Sequence, residues 1–232
     1  MKKRRIQNVD SQEGDNPFSA STGDLMAGLL FIFILLLSYA LLQVKEKSEN
    51  DEKIVRNYNA IKTQLYIDLN KEFDKDLLIW NAEIDSINLS VRFQEPSTLF
   101  DYDSSVLKQK FKDILDDFFP RYIQILTKPS YKKNIEEIRI EGHTDSKGSY
   151  IYNMRLSQDR TRSVLDYCML LPSSKGMQDW IISMVTANGL SSSKPIMVNH
   201  EPNDELSRRV EFRIRTNAES QIDEIMRNRG GN

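Results

Sequence analysis

The sequence predicts an α/β domain carried behind one membrane-spanning helix and a helical stalk. Three observations predict it. Residues 25–42 carry no charge. Residues 45–80 are highly charged, contain neither Pro nor Gly, and repeat apolar residues at helical spacing. Residues 82–216 alternate strand-like and helix-like patterns. A chain of 232 residues, less a span and a stalk, leaves room for one modest domain. The net charge of −2 gives no footing for a nucleic-acid partner. The single cysteine, Cys168, excludes an intrachain disulfide, and its neighbours Tyr167, Met169 and Leu170 point to a buried thiol.

The elements follow in order. Residues 1–16 read as a basic, disordered cytoplasmic tail that begins with Lys2, Lys3, Arg4 and Arg5. Asn16-Pro17 reads as a helix start, with Asn capping and Pro in the first turn. The helix of residues 17–44 then crosses the membrane. Its uncharged part, Leu25 to Leu42, is about 27 Å long at 1.5 Å per residue, close to the hydrocarbon thickness of a bilayer. A cleaved signal peptide is the competing reading, but its apolar core is shorter and ends at small residues, whereas this run ends in Gln43-Val44-Lys45-Glu46-Lys47. The cluster of basic residues before the span places the N-terminus in the cytoplasm and everything after residue 44 outside it.

Asp24 stands at the edge of the uncharged run, about two helical turns from Pro17. A carboxylate there is costly unless it has a task or a partner, so the pattern points to a cation carrier. The bland alternative is a helix-start carboxylate held by the helix dipole. Ser19, Ala20, Ser21, Thr22 and Gly23 are small and suit close packing against other membrane helices.

In residues 45–81, Ile54, Tyr58, Ile61, Leu65, Leu69 and Phe73 recur at three- and four-residue spacing. This predicts a stalk helix, with a solvated linker as the alternative. Ile84 to Phe93 alternates as a single half-buried strand. Residues 104–126 form an amphipathic helix through Val106, Leu107, Phe111, Ile114, Leu115, Phe118 and Phe119, which Pro120 is expected to break. Ile135 to Glu141 is a strand and Asn153 to Leu171 a helix. Trp180 to Ala187 is a strand, or a helix end running into one. Ser207 to Thr216 is the closing strand, with Val210, Phe212 and Ile214 on one face. Residues 217–232 are a polar tail with a short helix that frays at Gly230-Gly231.

The chemistry concentrates in Glu141-Gly142-His143-Thr144-Asp145-Ser146-Lys147-Gly148, followed by Tyr152-Asn153-Met154-Arg155-Leu156-Ser157-Gln158-Asp159-Arg160. Asp145 at a strand end and Arg160 one helix later offer an anion and a bidentate cationic fork to one cleft, which suits a zwitterionic amino-acid head group. An ordinary surface salt bridge is the bland reading. His143 is expected to be a packed histidine, since His200 is the only other one and neither has ligand spacing around it. No nucleophile–base pair, metal cluster or phosphate loop stands out, so neither enzymatic activity nor a cofactor is expected.

These stretches resemble the G-[HY]-T-D-x-x-G…Y-N-x-x-L-S-x-x-R signature of the OmpA-like peptidoglycan-binding domain. Gly189 to Pro195 is similar to that family's G-x-G-x-x-x-P turn, and Ser207-Arg208-Arg209-Val210-Glu211-Phe212 to its N-R-R-V-E strand. Three positions depart from the pattern: Thr161 stands for Ala, Leu190-Ser191 interrupts the second Gly, and Ser207 stands for Asn. The resemblance implies an α/β sandwich with a mixed sheet over residues 82–216. It also implies that Asp145 takes the ammonium and Arg160 the carboxylate of diaminopimelate, in a pocket shaped by Thr144, Tyr152, Asn153 and Leu156. Arg208 and Arg209 are expected to brace the sheet and loops.

The order of basic tail, span with one Asp, stalk and wall domain resembles MotB-type stator subunits. The stretch Asp24 to Phe33 looks less like flagellar MotB and resembles more the ZorB family of Zorya antiphage defence systems. That resemblance implies an inner-membrane homodimer whose Asp24 carries protons or sodium, surrounded by a MotA-like subunit, ZorA, as five copies around two. The competing readings are a flagellar MotB-type stator and a non-conducting peptidoglycan tether.

Overall fold

A computed structural model of the chain describes residues 17–94 and 99–230. It divides into two compact units, one reaching Glu52 and the other beginning at Lys53. The expected tail at residues 1–16 lies outside the described residues.

The first unit is the apolar part of α1 (Pro17–Trp80). The helix starts at the proline, whose fixed φ suits the first turn and whose missing N–H costs nothing there. Its stretch from Thr22 onward is long and apolar enough to cross a membrane. Leu25, Leu29, Phe31, Phe33 and Leu37 are all exposed in this single chain, as a surface made for lipid requires.

The second unit begins inside the stretch expected to be a stalk. Leu65, Leu69 and Phe73 are fully buried, and Trp80 nearly so. They form one core with the sheet and its helices. The stripe of apolar residues at four-residue spacing faces the core here rather than standing on a free stalk. Arg121 fastens this part of α1 to the next helix. Its guanidinium donates to Glu72 at 2.8 Å, pairs with Asp76 at 2.9 Å, and lies 4.9 Å from the Phe73 ring centroid.

The sheet has the order β1-β2-β7-β3-β4. β1 (Ala82–Asp85) and β2 (Ser90–Gln94) are an antiparallel hairpin, where the alternation had suggested one strand. The turn is built by Asp85, whose Oδ1 accepts from the backbone N–H groups of Ile87 and Asn88, and Leu89 completes it at φ +52°. β7 (Arg209–Thr216) runs antiparallel between β2 and β3 (Ile135–His143). β4 (Val185–Gly189) lies parallel to β3, so the sheet is mixed. Val91, Phe93, Ile138, Ile140, Phe212 and Ile214 are buried in the core.

α2 (Gln109–Leu126) starts five residues later than expected and continues through Pro120. Phe118, Phe119, Tyr122 and Ile123 flank the proline and are all buried, and that packing outweighs one lost backbone bond. Val106, expected on the apolar face, is exposed, while Leu107 bridges Phe100 before the helix begins. A four-residue helix α3 (Pro129–Lys132) follows. α4 (Tyr150–Leu170) connects β3 to β4 through a 3-10 turn at Pro172–Met177 and α5 (Gln178–Met184). The stretch from Trp180 is therefore a helix end running into a strand. A small hairpin of β5 (Ile196–Val198) and β6 (Glu201–Asn203), then α6 (Asp204–Ser207), precede β7. The tail forms α7 (Asn217–Gly230). Cys168 is fully buried in the core.

Candidate functional site

Two glycines set the position of α4. Gly142 on β3 pairs in register with Gly189 on β4. A Cβ on Gly142 would stand 2.6 Å from Thr161 Cγ2 and 2.8 Å from the Ser157 carbonyl oxygen. A Cβ on Gly189 would stand 2.4 Å from the Gln158 nitrogen. The helix therefore rests directly on strand backbone, which brings its first turns beside the loop that follows His143.

The three departures from the family pattern are each accommodated. Thr161 Oγ1 donates to the carbonyls of Ser157 and Gln158, and its methyl group fills the space above Gly142. Ser191 takes the left-handed conformation a glycine favours, at φ +53°. Its N–H donates to Ser157 Oγ at 3.0 Å and its hydroxyl to the Tyr150 carbonyl, which repays the strained backbone with buried hydrogen bonds. Ser207 is buried, accepting from Ile196 N and donating to the Asn203 carbonyl.

These constraints shape a cleft of about 110 Å³ at the end of β3. Asp145, Arg160, Thr144, Tyr152, Asn153 and Leu156 all line it, so the six residues singled out in the sequence converge in space. Ser149 caps α4 by accepting from Tyr152 N. Asn153 is buried and donates to the carbonyls of Asp145 and Lys147, holding the loop against the helix. Thr144 Oγ1 donates to the Asp145 carbonyl. Asp204 holds the loop from its other side, accepting from Ser146 N and Oγ, and these two bonds lower its pKa.

The charged groups do not stand as a simple pair of Asp145 and Arg160. Asp145 Oδ1 accepts from Lys147 N, and its Oδ2 accepts from Arg208 Nη1 at 2.9 Å. Arg160 is buried along the cleft wall. Its Nε donates to the Ser104 carbonyl at 2.9 Å, its Nη2 to the Asp101 carbonyl, and its guanidinium lies 4.8 Å from the Phe100 ring centroid. Arg160 thereby clamps the segment before α2 to the cleft.

Arg208 was expected to brace the sheet and loops. It does hold the Asp145 loop, and it also lines the cleft with part of its side chain exposed. Arg209 is the bracing residue: it is buried and donates to Glu211 and to the Ser207 carbonyl. Neighbouring residues of an extended chain point to opposite faces, so Arg208 and Arg209 could not both enter the sheet's buried network. Tyr102, Asp103 and Lys147 complete the lining. Tyr152 donates its hydroxyl to Asp103, which raises the phenol pKa.

His143 is packed beneath this end of the sheet. Burial, then Arg209, pushes its pKa down to about 3, so the ring is neutral. Glu211 lies 3.8 Å from it. Burial would raise the Glu211 pKa, but Arg209 and Arg92 together hold it down at about 2. Among the described residues no cluster of His, Cys, Asp and Glu is arranged to hold a metal ion. Asp24 lies in the other unit, on the exposed surface of the apolar helix.

A carboxylate, two guanidinium groups and aromatic walls in a small open cleft can bind a zwitterion of amino-acid size.

Comparison with known proteins places this geometry. Residues 99–209 match the OmpA family. Zorya protein ZorB of Escherichia coli strain Crooks is 41% identical over 229 residues, covering 94% of this chain and 96% of that protein. Zorya protein ZorB of Escherichia coli O139:H28 is 28% identical, covering 92% of this chain and 84% of that protein. The peptidoglycan-associated lipoprotein of Buchnera aphidicola subspecies Baizongia pistaciae is 28% identical, covering 46% of this chain and 72% of that protein. The similarity to the first of these runs through the apolar helix and the cleft-bearing domain alike, and the chain belongs to the ZorB family.

Proposed function

We infer that the chain is an inner-membrane stator subunit of an antiphage defence complex, carrying a cation on Asp24 and gripping peptidoglycan with its globular unit. The observation that carries the reading is the pairing, in a member of the ZorB family, of a carboxylate at the edge of an uncharged membrane-length helix with a zwitterion-sized cleft.

The wall-binding half rests on the cleft. Asp145 meets the side-chain ammonium of diaminopimelate in place of its Arg208 contact. Arg208 and Arg160 receive the carboxylate. Thr144 and Asn153 keep the loop in place, and Tyr152 and Leu156 wall the aliphatic chain. The ammonium arrives where Arg208 already pairs with Asp145, so binding exchanges one ion pair for two in a partly desolvated cleft.

The motor half rests on Asp24. The N-terminus faces the cytoplasm and the globular unit the periplasm, following the basic residues before the span. Two copies of this chain stand inside a ring of a MotA-like subunit, ZorA, expected as five copies. Protonated or sodium-bound, Asp24 is neutral and can pass an apolar wall; ionised, it must face water or a polar group. One charge moving down about 150 mV supplies roughly 3.5 kcal/mol, enough for a stepwise advance. The wall grip keeps the dimer still so that the surrounding ring turns. A flagellar stator would use the same physics with another output, and the similarity to ZorB proteins across 94% of the chain favours defence.

The test is Asp24→Asn in the complex expressed with its partner. The variant assembles, conducts neither protons nor sodium, and gives no phage resistance. Full resistance and full ion flux in that variant would overturn Asp24 as the carrier, whereas a wild-type complex that conducts no ions would leave a peptidoglycan tether as the better account.

A further inference from the structure

Within the stretch from Leu25 to Val44, three side chains carry a polar group: Ser38, Tyr39 and Gln43. They are not scattered around the helix. At about 100° per residue, Ser38 sits about 40° to one side of Asp24, with Tyr39 about 60° and Gln43 about 100° to the other. A hydrogen bond of 2.6 Å from Gln43 Nε2 to Tyr39 Oη draws the amide toward the tyrosine. The far side of the helix, Met26, Phe33, Leu37, Leu41 and Val44, is wholly apolar. In hydrocarbon a polar side chain is stable only against protein or water. The polar trio and Asp24 therefore identify one side of the helix as the side turned away from lipid.

Position along the axis separates their tasks. Ser38 lies about 21 Å beyond Asp24 and Gln43 about 28 Å beyond it, at the opposite end of the span. Between them the same side presents Gly28, Phe31 and Leu35, which offer a cation no ligand.

We propose that Ser38, Tyr39 and Gln43 form the outer mouth of the ion path that leads to Asp24. Their oxygens replace part of the hydration shell of a cation entering from the periplasmic side. The polar surface between this mouth and Asp24 must come from the partner subunit, because this chain is apolar there. The proposal rests on the reading of Asp24 as carrier, and the two can fail separately.

The experiment uses the full chain co-purified with its MotA-like partner and reconstituted in proteoliposomes, with proton and sodium flux read by dye. The combined variant Ser38→Ala, Tyr39→Phe, Gln43→Leu lowers flux at least tenfold, while Leu37→Ala with Leu41→Ala on the far side stays within twofold of wild type. A second measurement reads geometry directly. Cys168 is fully buried and silent. Ser38→Cys reacts with a membrane-impermeant thiol reagent from the outer side, and Leu37→Cys and Leu41→Cys do not. Wild-type flux in the combined variant, with Asp24→Asn inactive, overturns the mouth and leaves the carrier standing. Flux in Asp24→Asn overturns the carrier and the mouth together. If the combined variant loses its partner, labelling decides: equal reaction on both sides of the helix, or none at Ser38→Cys, overturns the proposal.

Discussion

The two carboxylates proposed to work, Asp24 and Asp145, sit in opposite kinds of surroundings. Asp145 is held by its own chain: Lys147 N and Arg208 bind its two oxygens, and Asn153 and Thr144 bind its carbonyl. Asp24 stands exposed on a helix whose apolar surface is bare in the single chain. The difference teaches where each site is completed. The cleft is finished when the domain folds, and a ligand has only to enter it. The membrane carboxylate gains its environment from other subunits and lipid, so its chemistry is a property of the assembly.

The sharpest way to test this contrast is to damage the fold and ask which site notices. Leu69→Ala opens a cavity in the core shared by α1 and the sheet, and should cost about 2–5 kcal/mol of domain stability by thermal unfolding. A solvated stalk residue would cost almost nothing, and that result would detach α1 from the core. Asp24→Asn should leave the same unfolding curve unchanged.

Next in size is the cleft itself. Arg208→Ala removes a cleft cation and frees the Asp145 loop, and Arg160→Ala releases the segment before α2. Each should weaken diaminopimelate-containing muropeptide binding at least tenfold, about 1.4 kcal/mol or more. Calorimetry against defined muropeptides checks it, and wild-type affinity in both variants would remove the cleft from wall binding.

The smallest effect is one of pH. His143 is held neutral at a folded pKa of about 3, below the unfolded value near 6.5. Below about pH 6.5 the unfolded chain binds a proton that the native chain refuses, so stability falls as pH falls. The loss should be roughly 1 kcal/mol between about pH 6 and pH 5, above the range where Glu211 titrates. His143→Gln should flatten that slope. An unchanged slope would mean that His143 is protonated in the native state.

How much of this was legible in the sequence depended on what each signal reports. The six cleft residues could be named because the resemblance to the OmpA-like signature runs unbroken over 17 positions, Thr144 to Arg160, on a strand end and the helix after it. Arg208, Tyr102 and Asp103 reach the cleft from distant segments, and sequence order carries no sign of that approach. The hairpin at residues 82–94 did leave a sign. The apolar positions slip from even at Ile84 to odd at Ile87, Leu89, Val91 and Phe93, a change of phase that one strand cannot hold. The helical period of α1 was plain, but a period reports that a face exists and not what covers it. Leu65, Leu69 and Phe73 read as a stalk because the core they join is drawn from separate elements: Phe73 meets Phe118, and Phe118 in turn meets Phe93 and Phe212.

The most direct measurement places both sites in one preparation. The full chain with its membrane partner, reconstituted in proteoliposomes, is tested for ion flux and for muropeptide binding as wild type, Asp24→Asn and Arg160→Ala. Asp24→Asn should lose flux and keep muropeptide affinity, and Arg160→Ala should lose affinity and keep flux. Ion flux that survives without the Asp24 carboxylate would contradict the account.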